Sequence, residues 1–291
     1  MLRPIRQDER SAWENELSDS RFVIHEAMTK LKNSHYVYDA IIGNVHVKYA
    51  LEFNNIPSRV LMKLLRATKR VSQLSKHFSI IPLSYVIVPC AEKRRWPSNE
   101  QHVTSANING GFTYKTGDIV YIFREEEYPK VMLHEAIHHT HLDPVPSNLV
   151  GVETLFRDTF NIATNMRFLP AEGVVEAFAV YYQCKFIADE TNIPFDAIWS
   201  RELTYMREQS AAIISSSKTK PWFETTNAFA YIVVKWLCCM NMDEFVTYIN
   251  KQTYQPLLPF FKHAIDTMPV SMPTDRLQYP SSMRLTIFGD L

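Results

Sequence analysis

The stretch that decides the reading is Tyr128-Pro129-Lys130-Val131-Met132-Leu133-His134-Glu135-Ala136-Ile137-His138-His139-Thr140-His141. Its apolar residues repeat with a helical period. Pro129 suits the first turn of a helix, and the acidic residues Glu125, Glu126 and Glu127 ahead of it suit the positive pole of the helix dipole. The pattern predicts a helix running to about His141 and stopped by Asp143-Pro144-Val145-Pro146. Inside it, His134-Glu135-Ala136-Ile137-His138 reads HExxH. Positions i and i+4 lie one turn apart on the same face, so both imidazoles can reach one metal ion. Glu135, beside the first of them, is then placed to take a proton from a water on that metal. The plainer reading of the same residues is an inert amphipathic helix rich in histidine.

Two imidazoles do not complete a catalytic zinc site, which usually has three protein ligands and one open position. The metzincin pattern needs Gly at 141 and His at 144, where this chain has His141 and Pro144. His139 and His141 fall on other faces of the helix and are expected to be exposed or to support the ligands. The third ligand is therefore sought downstream, in Ala171-Glu172-Gly173-Val174-Val175-Glu176-Ala177-Phe178-Ala179. Glu172 follows Pro170 in a first helical turn, where the dipole alone accounts for a carboxylate. Glu176 lies among valines, alanines and Phe178, where a charge is costly unless something pairs with it. Glu176 is thus preferred over Glu172 as third ligand, the alternative for Glu176 being a buried ion pair with Arg157 or Arg167.

Working outward, β signals gather just before the decisive helix. Ser84 to Pro89 reads as a short apolar strand. Ile108 to Tyr114 and Asp118 to Phe123 read as two more, joined by a hairpin turn at Lys115-Thr116-Gly117. Gly110, Gly111 and Phe112 would let an extended peptide pair with the hairpin edge, or else the glycines serve only a bulge or bend. Asp143 either orients a ligand histidine or simply ends the helix. The first eighty residues read as mostly helical. Within them Ser58 to Lys76 is amphipathic, with a basic face that is a solvated surface or, less simply, a nucleic-acid surface. Beyond residue 146 the expected helices are Leu149–Arg167, Ala171–Ala188, Phe195–Ser215, Phe223–Met240 and Met242–Ile249. An extended tail should follow, through Pro269, Pro273 and Pro280. The fold class is α+β and mostly helical. Its expected parts are a helical region 1–80, a metal-binding core 81–190 and a helical region 191–291, packed as one unit.

Composition narrows the function classes. The 291 residues are 46% hydrophobic and 21% charged, an ordinary globular balance. Thirty-one basic residues are matched by thirty-one acidic ones, whereas a nucleic-acid binder normally carries a basic excess. Seven glycines are few for a Rossmann domain or an all-β barrel. Cys90, Cys184, Cys238 and Cys239 form no CxxC pair, which suggests free thiols in a reducing compartment. No signal peptide or membrane span is apparent, so the expectation is an intracellular, cytoplasmic protein that binds neither nucleic acid nor membrane.

Glu176-Ala177-Phe178-Ala179 resembles the Glu-Gly-Phe-Ala element that supplies the third ligand in many gluzincin metallopeptidases. The run from Val88 to Asp143 resembles an uncharacterised family of zinc-metallopeptidase-like proteins of large double-stranded DNA viruses of eukaryotes. The likeness is carried by Lys93-Arg94-Arg95-Trp96-Pro97, Asn109-Gly110-Gly111-Phe112-Thr113, Arg124-Glu125-Glu126, the HExxH segment and Leu142-Asp143. Trp96 stands where that family usually has Leu, and Tyr128-Pro129 replaces its aromatic followed by Phe or Leu. The resemblance implies a zincin-like fold, with a small sheet and edge hairpin leading into the HExxH helix. It also implies a Zn2+ site at His134, His138 and Glu176, with Glu135 as general base. A viral protein could be packaged in a virion. The resemblance implies no particular substrate.

The leading expectation is a zinc-dependent peptidase acting on peptide or protein substrates. Its oxyanion would be stabilised by a residue such as Tyr181, Tyr182, Tyr205, Tyr231 or His263. The alternative is a catalytically inactive protein of the same fold, serving in the virion or in host interaction. An intact Glu135 argues for catalysis, because a purely structural metal has no use for a base there. A nucleic-acid accessory role rests only on Arg59 to Lys76 and Lys93 to Arg95.

Overall fold

β-branched and aromatic residues in the stretches between Leu2 and Arg124 build a mixed sheet of six strands. The computed structural model describes residues 1–20, 23–97, 102–114, 116–250, 253–269 and 282–291. These fall into two units, one made of residues 1–94, 105–140 and 288–291, the other of residues 95–104 and 141–287.

The first unit is α+β. Its sheet is β1 (Leu2–Pro4), β2 (Tyr36–Ile42), β3 (Val45–Leu51), β4 (Leu83–Cys90), β5 (Gly111–Thr113) and β6 (Ile119–Arg124), in the order β1-β2-β3-β4-β6-β5. β4 pairs in parallel with both β3 and β6, and the remaining pairs are antiparallel. The helices are α1 (Gln7–Asp19), α2 (His25–Asn33), α3 (Ser58–Phe78), the short α4 (Ser105–Ile108) and α5 (Tyr128–Ile137). Side chains alternate across a strand, so β4 and β6 bury both faces. Trp13 and Leu17 of α1 and Ala27 and Leu31 of α2 cluster with Val86, Val88, Tyr121 and Phe123 on one side. On the other side α3 packs on β2 and β3, and α5 packs on β5 and β6. Every residue of α5 is buried, which is why it lacks the polar face of a surface helix.

The expectation of a mostly helical N-terminal region missed β1, β2 and β3. Tyr36–Ile42 carries Asp39 mid-strand and Val45–Leu51 carries His46 and Lys48, so their apolar content looks diluted. Those polar side chains are instead gathered into one network. Arg3 donates to Glu9 and Asp39, Lys48 donates to Glu9, and His46 lies 2.6 Å from Asp39. The α3 helix forms as expected. Its basic side is partly committed: Lys63 Nζ donates to Asp290 at 2.6 Å and Arg70 to the Leu291 carbonyl at 2.6 Å.

The second unit is helical. It holds α6 (Val152–Phe160), α7 (Pro170–Thr191), α8 (Phe195–Thr219), a π-helical turn Ala230–Val234 that continues into α9 (Lys235–Met240), α10 (Met242–Thr247) and α11 (Leu258–Asp266). A short antiparallel pair, β7 (Ile249–Asn250) and β8 (Thr253–Tyr254), accompanies them. Phe156, Phe168, Phe229 and Phe261 form an aromatic core with ring centroids 5.2–6.4 Å apart. From Gly173 to Val180 every residue of α7 is buried, so this helix runs through the interior with α8, the π turn and α9 against it. The single helix expected over Leu149–Arg167 is interrupted. Asn161 takes the left-handed conformation at φ 49° and caps α6, and Ile162 then bridges to Trp222.

Lys115 of the hairpin turn and residues 270–281 of the C-terminal tail lie outside the described residues. Among the described residues, no helix is long and apolar enough to cross a membrane.

Candidate metal centre

The two histidines sit at the end of α5. The helix stops at Ile137, earlier than the pattern predicts, and His138 is its C-cap with φ −57° and ψ −19°. The stop has a local cause. The backbone of His139 donates to the Ala136 carbonyl at 3.1 Å and that of Thr140 to the Ile137 carbonyl at 2.9 Å, tightening the turn. The Thr140 hydroxyl also donates to the Ile137 carbonyl at 2.8 Å, satisfying a group the helix leaves open. The His134 and His138 rings still meet edge to face, with centroids 5.0 Å apart and planes at 77°.

The helix is fixed from below by the sheet. Tyr85 of β4 donates its hydroxyl to the Met132 carbonyl at 3.0 Å. Burial raises the Tyr85 phenol well above its ordinary pKa, and the nearby Glu135 carboxylate adds to the shift. Glu135 is itself buried.

The edge strand β5 lies along the same helix. A Cβ on Gly111 would come within 2.9 Å of Val131 Cγ1 and 2.8 Å of the Tyr121 carbonyl, and one on Gly110 within 2.4 Å of Arg94 Nη2. These glycines therefore admit the protein's own helix and guanidinium. Arg94 is buried and donates to the carbonyls of Ile108 and Glu126, with Glu127 at 2.8 Å. Arg124 donates to the carbonyls of Asn109, Glu92 and Ala106. Burial, with Arg94 close by, lowers its pKa to about 10. The two arginines thus satisfy the loop carbonyls that lead into β5.

Just before β5 the Gly110 carbonyl accepts from the Phe123 backbone, and within it Phe112 faces Tyr121. By the alternation of antiparallel ladders, the backbone groups of Gly111 and Thr113 point away from β6, along the free edge of the sheet. The Thr113 hydroxyl lies 3.3 Å from His139 Nε2, a contact the pattern of the helix alone did not suggest.

On α7, Glu172 stands in the first turn and Glu176 one turn further in, the latter with no exposed surface. Among the described residues, one group of three or more potential ligand side chains has its donor atoms mutually close. His134, His138 and Glu172 offer atoms that all lie within 4.8 Å of one another. Glu172 thus stands in the group, whereas the sequence favours Glu176. Glu176 shares its surroundings with Cys239, whose thiol it helps push upward after burial and Cys238. Arg157, one suggested partner of Glu176, is bound instead to Glu153 and to the carbonyls of Ala163 and Met166.

Of the proposed oxyanion stabilisers, Tyr205 donates to the Arg284 carbonyl, Tyr181 packs against Phe195 and Trp199, and His263 lies 3.4 Å from Glu244. Tyr231 donates to Glu172 Oε2 at 3.2 Å. The sign of Glu172 in the sequence was Gly173 beside it. A glycine inside a helix costs about 1 kcal/mol relative to alanine, and here a Cβ would meet the Ala230 carbonyl at 2.5 Å.

No family model matches this chain, and neither a curated protein nor a solved structure gives a match.

Proposed function

We propose that this chain is a zinc-dependent peptidase whose metal is held by His134, His138 and Glu172. The observation that carries the reading is the convergence of two imidazoles and a carboxylate, with donor atoms within 4.8 Å of one another. The donor set suits zinc. Two ligands each about 2.0–2.2 Å from one ion lie no more than about 4.4 Å apart, so small side-chain adjustments suffice. Two histidines and one glutamate are also a ligand set of catalytic zinc, which keeps a fourth position open.

Zinc in such a site acidifies a water and polarises a carbonyl. With zinc bound, Glu135, next in the chain to a ligand, would act as general base toward the attacking water and then as proton donor to the departing amine. Peptide is the favoured substrate class because β5 is an edge strand, with the backbone groups of Gly111 and Thr113 directed away from β6 beside the metal-binding helix, and an extended chain can add to it as a further strand. The zincin-like character of the fold belongs to this proposal, as does the viral setting implied by the resemblance.

The test is metal analysis of the purified chain, followed by a proteome-wide cleavage profile of wild type against Glu135→Gln. About one zinc per chain is expected, with cleavage in the wild type and retained zinc without cleavage in the variant. A chain without bound metal, or a cleavage profile unaltered by Glu135→Gln, overturns the reading.

A further inference from the structure

The π-helical turn Ala230–Val234 is the least ordinary piece of backbone in the helical unit. Such turns are rare, appear as single bulges in α-helices and are frequent at functional sites. Here the bulge closes with the Lys235 backbone donating to the Ala230 carbonyl, five residues back. The turn lies directly on the first turns of α7. The Ala230 carbonyl and Val234 Cβ both stand 2.5 Å from where a Cβ of residue 173 would be. Only glycine at 173 allows that approach. The side chain the turn carries across this contact is Tyr231, half-buried, whose hydroxyl donates to Glu172 Oε2 at 3.2 Å.

We propose that Tyr231 is a positioning residue for the metal centre, holding the Glu172 carboxylate in the rotamer in which it ligates. The inference rests on Glu172 being a ligand. A glutamate side chain has three rotatable bonds, and freezing them costs free energy when the metal binds. A phenol already bonded to one carboxylate oxygen removes part of that cost beforehand. Outer partners of this kind orient ligands and strengthen binding. The bulge and Gly173 have a common purpose on this view: together they bring one hydroxyl within reach of the residue next to the glycine.

The experiment measures Zn2+ affinity by chelator competition, and the visible absorption of Co2+, on wild type, Tyr231→Phe, Glu172→Ala and the double variant. Melting of all four is followed after metal removal. Tyr231→Phe should weaken Zn2+ binding about 10–100-fold and alter the Co2+ bands. In the Glu172→Ala background the same substitution should change neither. Wild-type affinity and an unchanged Co2+ spectrum in Tyr231→Phe overturn the inference, even if the metal-free variant melts lower, because Tyr231 is then structural only. An equal loss with and without Glu172 overturns it as well. Failure of the wild type itself to take up Zn2+ or Co2+ has a separate signature, and it removes the metal reading together with this inference.

Discussion

The Asp290 carboxylate accepts a hydrogen bond from the backbone N–H of Glu127 at 3.0 Å. Glu127 is the N-cap of α5 and sits in the left-handed region at φ 61°. A residue near the end of the described chain thus does for α5 what a neighbouring Ser or Asp does for most helices. It satisfies an open N–H and places negative charge at the positive end. Lys63, 2.6 Å away, holds that carboxylate from α3.

Asp290→Ala is accordingly expected to destabilise the α+β unit by about 1 kcal/mol, the usual cost of a lost cap. Urea unfolding followed by far-UV circular dichroism checks it. An unchanged midpoint would mean that the contact contributes nothing to stability.

The two carboxylates of α7 separate by substitution. Glu172→Gln should weaken zinc binding by more than the roughly 10–100-fold that an outer partner costs, whereas Glu176→Gln should leave it within that range. Equilibrium dialysis with Zn2+ reads both. The reverse pattern would return the third ligand to Glu176.

Gly111→Ala is expected to cost about 1–3 kcal/mol, because the added methyl meets the Tyr121 carbonyl at 2.8 Å and Val131 at 2.9 Å. The readout is thermal melting. If the glycine served only to admit a substrate, the melting temperature would not move and peptide affinity alone would fall.

Acid sensitivity should centre on Glu9 and Asp39. Hydrogen bonds from Arg3, with Lys48 and the Arg6 backbone, outweigh burial and hold Glu9 well below the usual carboxylate range. For Asp39, burial acts upward, but the bonds from His46 and Arg3 prevail and lower it. Depressed folded pKa values mean stability that is complete above the unfolded carboxylate value of about 4 and is lost as pH falls through the folded values. Replacing Glu9 by Gln should therefore flatten the decline of stability in the acid range. A wild-type slope in that variant would assign the decline elsewhere.

How much of this could be read from the sequence divides along physical lines. The HExxH helix, the strands before it and most of the later helices follow from periodicity, which depends on local spacing alone. β2 and β3 escaped because Asp39, His46 and Lys48 dilute their apolar content, and only the folded network with Arg3 and Glu9 shows why those charges are tolerated. The end of α5 at Ile137 depends on a threonine hydroxyl bonding back to a carbonyl, a choice the pattern of apolar residues does not record. Of the two glutamates of α7, burial singles out Glu176, whereas the donor atom that lies near those of His134 and His138 belongs to Glu172.

Because α5 ends at Ile137 with His138 as its C-cap, the negative end of its dipole lies beside one of the residues that would grip the ion. A helix tip of that polarity is equivalent to about half an electron. Neutral imidazoles lend no compensating charge of their own, so the backbone supplies some of it before Glu172 is counted. Had the helix run on to His141, that tip would have been carried about a turn further along.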